Sequence, residues 1–427
     1  MLLVAIEQDV LVIGGGLAGA TAAISAARTG ADVRLVSSKQ PTLRHASGLI
    51  DVLGYTPDGE GPLADPFAAL SDLPEGHPYE RVGRDAVEAG LALFDEIVGN
   101  TYEGNHTERN ALIPTQGGRV KPTARYPASV SAGLASDERD ALLVGFERLA
   151  GFDASLSAAR LNATGVPFTA RGAAVEFPEL SSADPKVTRF AQLLDRDEGV
   201  DAGRGVRREV TERVTTHMDG EDRVGFPAVL GDDHPEEVRA DLESHLGAAV
   251  FEIPMGPPSL PGLRLEDRLY DALDEAGVRI ETGNPVVGYE SKSRGNGVET
   301  VLVDRTGSTV PYGAEQFVLA TGGLVGKGIE SDRSGVEEPI FDCHVAHPSD
   351  RYDWFADDAF GDHRFARFGV DPDRELRPRD AHGKIEFDNL RAAGAVLGNY
   401  DFAAEKSGSG VSLATGSHAG RLAGENT

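Results

Sequence analysis

The run Gly14-Gly15-Gly16-Leu17-Ala18-Gly19 puts glycine at all three positions of the G-x-G-x-x-G pattern, and each has its own physical reason to lack a side chain. Gly14 permits a tight turn, Gly16 lets a phosphate approach the backbone, and Gly19 lets the following helix pack closely. The amides that open that helix, those of Leu17 and Ala18 among them, offer donors and a positive dipole end to an anion. The chemistry implied is nucleotide binding. Glycine-rich turns also join strands to helices for steric reasons alone, so the pattern depends on its surroundings. An acidic residue is expected about 20 residues further on to bind ribose hydroxyls. Ser37 and Ser38 stand there instead, which argues against NAD and against FAD held in the usual way. A smaller flavin, FMN, then becomes an alternative.

Two later segments turn the lone motif into a constellation. Val318-Leu319-Ala320-Thr321-Gly322-Gly323 and Arg391-Ala392-Ala393-Gly394-Ala395-Val396-Leu397-Gly398 both resemble flavoprotein signatures. In flavoproteins with two dinucleotide-type folds, the first closes the nucleotide domain and the second leads to a helix whose amides face the flavin. Here that helix follows Ser407-Gly408-Ser409-Gly410, whose donors could stabilise an anion. The alternative is that Gly408 and Gly410 only cap a helix.

The stretch Pro41–Leu53 occupies the place where such flavoproteins run along the isoalloxazine ring, so Ser47 and the Gly48 backbone become candidates for bonding it. His45 is the candidate for proton transfer, because an imidazole titrates near neutrality, although a loop histidine is often structural. Arg264 is a candidate for holding a phosphate of substrate or FMN, since a guanidinium fork matches phosphate oxygens; the alternative is a surface arginine at a helix start. Cys343 is the sole cysteine and reads as a small buried hydrophobe with no role. One thiol excludes an internal disulfide and an all-cysteine iron–sulfur cluster.

The elements that must position these residues follow from periodicity. Asp9–Ile13 is a short apolar run, Leu17–Arg28 is rich in small helix-compatible residues, and Asp32–Val36 resumes the apolar run after Gly30. This predicts a strand, helix and strand over about 30 residues, the length of a βαβ unit. Further on, helices are predicted over Arg84–Val98, Pro235–Leu246 and Leu265–Ala276, and strands over Ala248–Ile253, Val278–Glu281 and Gln316–Ala320, the last after a strand-rich meander. A closing strand, turn and helix is expected over Leu390–Leu422. Acidic runs at Asp195–Asp201 and Asp219–Asp222 read as solvated loops.

Composition bounds the function classes. The 427 residues, 40% hydrophobic and 26% charged, suit two or three soluble domains. The net charge of −28 makes nucleic acid and anionic lipid poor partners. Basic residues are mostly arginine, and the acidic excess reads as halophilic, self-repelling in dilute buffer and screened in molar salt. The alternative is an acidic protein of ordinary salt. The apolar run Val10–Ala27 is broken by glycines and has no basic segment before it, so neither a signal peptide nor a membrane span is predicted and a cytoplasmic location is expected.

A family likeness emerges from the order of several short segments. They are Ser47-Gly48-Leu49-Ile50-Asp51-Val52-Leu53 with Pro57-Asp58-Gly59, then His77-Pro78-Tyr79, Pro257-Pro258-Ser259 and Gly262-Leu263-Arg264-Leu265. Gly335-Val336-Glu337-Glu338-Pro339-Ile340, Phe368-Gly369-Val370 and Leu376-Arg377-Pro378 complete the series. Together they resemble the B subunits of anaerobic glycerol-3-phosphate dehydrogenases, nearly end to end and least between about residues 100 and 250. The resemblance implies a two-dinucleotide-fold flavoprotein carrying FMN, or alternatively FAD. It also implies an FAD-bearing A subunit, an iron–sulfur C subunit, oxidation of sn-glycerol 3-phosphate to dihydroxyacetone phosphate, electrons passed to membrane quinone, and a peripheral place on the inner membrane face through those partners. This chain departs from the family's denser glycine run at Ala403-Ala404-Glu405-Lys406, which puts the contact there in doubt.

The expected fold is α/β: a Rossmann-type FAD/NAD(P)-binding domain of residues 1–61, 257–341 and 385–427, with an inserted α+β cap of 62–256 and 342–384. Two rival functions remain open at this point: a self-sufficient flavin dehydrogenase or reductase of another small substrate, and a non-catalytic electron-relay or scaffold subunit.

Overall fold

The computed structural model describes residues 5–39, 42–180, 185–199 and 204–427. Pro41, and residues 200–201 of the first acidic run, lie outside them. Backbone contacts divide the chain into two units: residues 1–42, 51–97 and 267–427 form the first, and residues 43–50 and 98–266 the second. This differs from the division expected from sequence, because 62–97 and 342–384 belong with the first unit, and 43–50 and 257–266 with the second. For the later stretch the reason is visible in the backbone, where Val370 bridges both Val345 and Leu397, and Arg379 bridges Ile385. Those pairings tie the irregular segment to the strand and turn that follow it.

The first unit is built on a seven-stranded sheet. Its strands are β1 (Ile6–Ile13), β2 (Val33–Ser37), β3 (Arg279–Thr282), β4 (Val286–Ser291), β5 (Val298–Arg305), β6 (Ser308–Leu319) and β7 (Leu390–Ala392). The order is β3-β2-β1-β6-β5-β4, with β7 also paired to β6. From β3 to β6, and at β7, neighbours run parallel, while β4, β5 and β6 form the antiparallel meander that the sequence suggests. Val10, Leu11, Val12 and Ile13 are buried in succession rather than alternately. That is the signature of a strand covered on both faces, and it explains why the run reads as continuously apolar.

Between β1 and β2 lies helix α1 (Leu17–Ala27), whose residues from Ala18 to Ala26 are all buried. A helix buried nearly all round shows no amphipathic stripe and needs small residues wherever it meets backbone. What it meets is the last helix, α4 (Gly408–Glu425), which packs on α1 through Gly416, Gly420 and Gly424. A Cβ on Gly416 would come 2.5 Å from the Ala18 carbonyl oxygen, one on Gly420 would overlap that of Ala22, and one on Gly424 would come 2.9 Å from that of Ala26. The spacing of four residues on both helices aligns glycine with carbonyl, turn after turn. Between them in the chain come α2 (Pro78–Val98), kinked at Gly83, and α3 (Leu260–Glu275).

The second unit mixes helices and strands: its principal sheet is wholly parallel, with two short antiparallel pairs, Tyr102–Glu103 with Tyr126–Pro127 and Ala111–Pro114 with Val120–Thr123, elsewhere in the unit. The strands Ala249–Ile253, Arg223–Pro227, Ala141–Phe146 and Ala170–Val175 lie side by side in that order. Helices Ala154–Ala163, Val187–Arg196, Val206–Thr215 and Pro235–Leu246 fall between or beside them in the chain. Phe146, Phe177, Phe190 and Phe226 fill its core, with Phe146 edge-on to Phe177 at 4.9 Å and stacked on Phe190 at 5.6 Å. Such a sheet presents its loops for ligand binding where strand order reverses, beside Ala141–Phe146 and Arg223–Pro227. The amides of Asp232, Asp233 and His234 that follow the second of these strands already donate to the Asp195 carboxylate, at 2.7, 3.1 and 3.1 Å. The chain's own anion fills that nest.

Candidate functional site

The carboxyl ends of β1, β2, β6 and β7 share a register that brings the sequence motifs of the first unit together. Ile13 pairs with both Val36 and Leu319, and Leu319 with Ala392. The backbone then turns: the Gly14 amide donates to the Val36 carbonyl at 2.8 Å and the Ala320 amide to that of Ile13 at 2.8 Å. Gly14 sits at φ +118°, where a side chain is strained, and its Cβ would overlap the Ala320 carbonyl oxygen. The turn and the Thr321-Gly322 segment are thus locked to each other.

The three motif glycines have two kinds of surroundings. Gly14 and Gly19 are closed by protein, since a Cβ on Gly19 would overlap the carbonyl oxygen of Gly14. Gly16, the N-cap of α1, is open: a Cβ built there meets nothing within 4 Å. In front of the first turn of α1, where helix amides lack intrahelical acceptors, the protein leaves room for a ligand. The hydroxyl of Thr321, at the neighbouring end of β6, is buried with no hydrogen-bond partner. A buried hydroxyl without a partner costs free energy unless something completes it. An open phosphate cradle beside such a hydroxyl fits the phosphate-bearing end of a flavin nucleotide.

Ser37 ends β2 beside this turn, its Oγ lying 3.2 Å from the position a Cβ on Gly15 would take. Its hydroxyl donates to the Lys39 carbonyl at 2.7 Å, so it bonds the chain where a ribose-binding carboxylate is expected. The hydroxyl of Tyr270 would be 2.8 Å from that same Cβ, crowding the place further.

The remaining candidates have reasons within the protein's own packing. Gly398 lies against the Gly369 carbonyl oxygen, 2.9 Å from where its Cβ would be, and its amide donates to Val370 at 3.0 Å. Gly322 has φ +87° and faces the Gly326 backbone. Gly408 meets the Phe402 side chain, and a Cβ on Gly410 would come 2.5 Å from the Asp51 carbonyl oxygen and overlap the Tyr79 hydroxyl. The Ser409 hydroxyl accepts the Asp51 amide at 2.7 Å. The first turn of α4 is therefore braced by the 51–52 backbone.

His45, Ser47, Gly48 and Arg264 belong to the second unit. His45 is exposed at the end of a 3-10 turn over Thr42–His45. Ser47 is half-buried, and Gly48, at φ +76°, gives its carbonyl to the Tyr102 hydroxyl at 2.8 Å and abuts Pro261. Arg264 is neither a free phosphate fork nor a surface residue. Its Nη1 lies 2.7 Å from Oε2 of the fully buried Glu252, and its Nη2 bonds Glu252 Oε1 at 3.1 Å and the Gly231 carbonyl. Glu252 also accepts the Ser129 hydroxyl and the Leu230 amide, at 2.7 and 2.8 Å. The buried Glu252 carboxylate therefore depends on the part-buried Arg264, whose Nε is itself left without a partner among the described residues. Cys343 is buried as expected, and burial raises its thiol's pKa well above the ordinary value.

Sequence reasoning assigned no role to the buried His77, Tyr79 and Glu405. Nδ1 of His77 accepts the Tyr79 amide at 3.1 Å, which leaves the proton on Nε2, 3.1 Å from Glu405 Oε2. Glu405 also accepts the Ser407 hydroxyl at 3.0 Å and the Asp401 amide at 2.9 Å, and its carbonyl accepts the amides of Gly54 and Tyr55. The Tyr79 hydroxyl donates to the Val52 carbonyl at 2.7 Å, and burial raises its pKa well above the usual value. The cluster anchors the entrance of α4. His77-Pro78-Tyr79 stands out at a helix start, but its partner is 328 residues away.

Comparison with known proteins bears on these features. A family model described as an FAD binding domain matches residues 9–411. The chain is 61% identical over 99% of its length, and 99% of the other's, to a Halobacterium salinarum protein named as the probable B subunit of an anaerobic glycerol-3-phosphate dehydrogenase. It is 32% identical to the B subunit of the anaerobic glycerol-3-phosphate dehydrogenase of Pectobacterium atrosepticum, over 96% of this chain and 97% of that one. A likeness to the open conformation of a flavocytochrome c3 fumarate reductase is 11% identical over 99% of this chain and 78% of that one, with a TM-score of 0.45, too loose to argue from. The acidic composition suits a halophile's relative. With a flavin-type cradle at the carboxyl edge of a Rossmann sheet and full-length identity to such named relatives, the chain belongs to the flavin-dependent oxidoreductase family formed by the B subunits of anaerobic glycerol-3-phosphate dehydrogenases.

Proposed function

We propose that this chain is the flavin-bearing B subunit of a dehydrogenase that oxidises sn-glycerol 3-phosphate to dihydroxyacetone phosphate. The observation that carries the reading is its 61% identity, end to end, to a chain named as such a subunit. Oxidising the secondary alcohol removes a hydride from carbon and a proton from oxygen. A bound flavin supplies the two-electron acceptor. The chain's own part is to hold and orient: the Gly16, Leu17, Ala18 and Gly19 backbone takes a phosphate at the head of α1, Gly14 shapes the turn, and the Thr321 hydroxyl completes a polar contact beside it. Ser47 and the 48–53 backbone are proposed to run along the ring. His45, exposed, is proposed to take the alcohol proton.

FMN is the proposed flavin, because Ser37 and not a carboxylate ends β2 and bonds Lys39. A second reading, FAD, is favoured by the family model's description. The proposed partners are an FAD-bearing A subunit and an iron–sulfur C subunit. One cysteine cannot supply an all-cysteine cluster, and among the described residues no helix is long and apolar enough to cross a membrane; both observations suit the proposal that partners carry electrons to quinone at the inner face.

The test is to purify the chain alone and with its A and C partners, identify the extracted cofactor by mass, and follow flavin bleaching and quinone reduction with sn-glycerol 3-phosphate. The isolated chain should hold flavin and reduce no quinone, and the complex should reduce it. Robust quinone reduction by the chain alone would overturn the subunit reading in favour of a self-sufficient enzyme.

A further inference from the structure

The segment 350–367 of the first unit presents an unusual surface for so acidic a chain. Tyr352, Phe355, Phe360 and Phe365 are 81%, 48%, 98% and 41% exposed. Single exposed apolar residues are ordinary, but a group of large rings on one loop is a feature of interaction surfaces. The loop is also held in shape. Trp354 is buried beneath it, with its indole N–H donating to the Pro348 carbonyl at 2.8 Å and its ring edge-on to His347 and Phe368. His363 closes the tip: Nδ1 accepts the Ala356 amide at 3.1 Å, Nε2 donates to the Ala359 carbonyl at 3.2 Å, and the ring stacks on Phe365. Arg367 pairs with Asp362 at 2.6 Å, and Asp358 accepts the Phe360 amide at 3.0 Å. Rings on a pre-shaped loop lose little freedom on docking, as the anchors of strong interfaces do.

The surrounding charges say what can cover them. Asp353, Asp357 and Asp358 are exposed around the rings, Asp362 is already paired with Arg367, and with the exposed Arg351 and Arg364 the segment carries five aspartates against three arginines, a net acidic surface. Covering those carboxylates is costly unless the covering surface supplies cations or donors, whatever the salt concentration. A bilayer interior has none, anionic headgroups add like charge, and a second copy brings another net −28. We propose that the 350–367 loop is a docking site for another subunit of the same dehydrogenase, which receives Phe355 and Phe360 in an apolar pocket rimmed by arginine or lysine. This rests on the multi-subunit reading above.

The test uses the tagged chain co-expressed with its A and C partners, comparing wild type, Phe360→Ser, Phe355→Ser/Phe360→Ser and Asp357→Arg/Asp358→Arg. Phe360 is too exposed for its loss to unfold the chain, and flavin content and melting temperature of each isolated variant check this. Wild type should co-purify with a partner, and the double phenylalanine variant should raise the apparent Kd at least about tenfold, the size of an anchor residue's loss. The charge-reversed variant should also bind more weakly. Equal binding by all four overturns the docking site and leaves the subunit reading intact. Failure of wild type to co-purify overturns both. Self-association, or flotation with vesicles of anionic lipid, that is lost in Phe360→Ser would reassign the loop to a second copy or a membrane and overturn the proposal.

Discussion

Gly19 lies directly beneath Gly14, so that a side chain on the former would run into the carbonyl oxygen of the latter, while Gly16 between them faces open space. The same six-residue motif therefore mixes two functions, a turn that must close and a surface that must stay clear.

Gly16→Val should separate them. At φ −76° the residue tolerates a branched side chain, and no protein atom is in its way. Its stability should fall by only about 1 kcal/mol, the cost of a poorer helix N-cap, while flavin retention is lost. Gly19→Val should instead destabilise the fold by roughly 3 kcal/mol or more, through overpacking against backbone. Flavin absorbance per chain and thermal melts of both variants check this, and full flavin occupancy in Gly16→Val would reduce the motif to a packing turn.

Arg264→Met tests whether this arginine serves a ligand or the fold. Removing it leaves Glu252 charged and fully buried, which should cost on the order of 3 kcal/mol. The KM for sn-glycerol 3-phosphate in the assembled complex should stay within a factor of two or so, since direct phosphate contacts are worth considerably more. A large rise in KM with an unchanged melting temperature would restore the phosphate-binding role.

Glu338 gives the fold a pH dependence of definite sign. Burial pushes its pKa from 4.5 up to about 7, against the lowering effect of the Phe341 and Ile340 amides that it accepts at 2.8 and 3.0 Å. The folded state then binds more protons than the unfolded one between those values, so stability falls as pH rises through that window and levels off above it. The full difference is on the order of 3 kcal/mol. Glu338→Gln loses one acceptor and should be less stable at low pH, but its stability should lack this fall. Melting curves from pH 4.5 to 8 in molar salt compare the two, and parallel profiles would remove Glu338 as the source.

The charge of −28 should make stability depend on salt. At about 0.1 M the Debye length is near 10 Å, and at 1 M near 3 Å, so repulsion among surface carboxylates is largely screened only in the second case. The melting temperature should rise by well over 10 °C between 0.1 and 2 M potassium chloride, roughly what several kcal/mol does to a domain of this size. Equal midpoints would count against a halophilic protein.

How much of this was legible in the sequence depends on the range over which each residue's role is decided. The β1–α1–β2 unit follows from local pattern, because the turn chemistry and apolar periodicity sit within one stretch, and Pro235–Leu246 is a helix over the residues expected. The Gly408-Ser409-Gly410 run is as visible, but which backbone it faces is set by Asp51 and Tyr79, far away in the chain. The same holds for Glu405, whose acid function makes sense only opposite His77. Arg264 invited a phosphate because nothing local revealed the buried carboxylate on Ala249–Ile253. The inserted region read as mixed because short apolar runs such as Ala141–Phe146 do not declare whether their neighbours are parallel.

The seam between α1 and α4 has a consequence for how the molecule is made. Ser25 and Ser417 meet across it although 392 residues separate them. At about 5–20 residues per second, a ribosome needs roughly 20–80 s to supply the second helix after the first has emerged. Throughout that interval α1 has no partner for its alanine face, and the nascent chain carries an unfinished apolar surface that invites association with other chains. The nucleotide turn, translated long before α4, is thus among the last parts to reach its final packing, and holdase chaperones acting during synthesis should matter more for yield than any aid given after release.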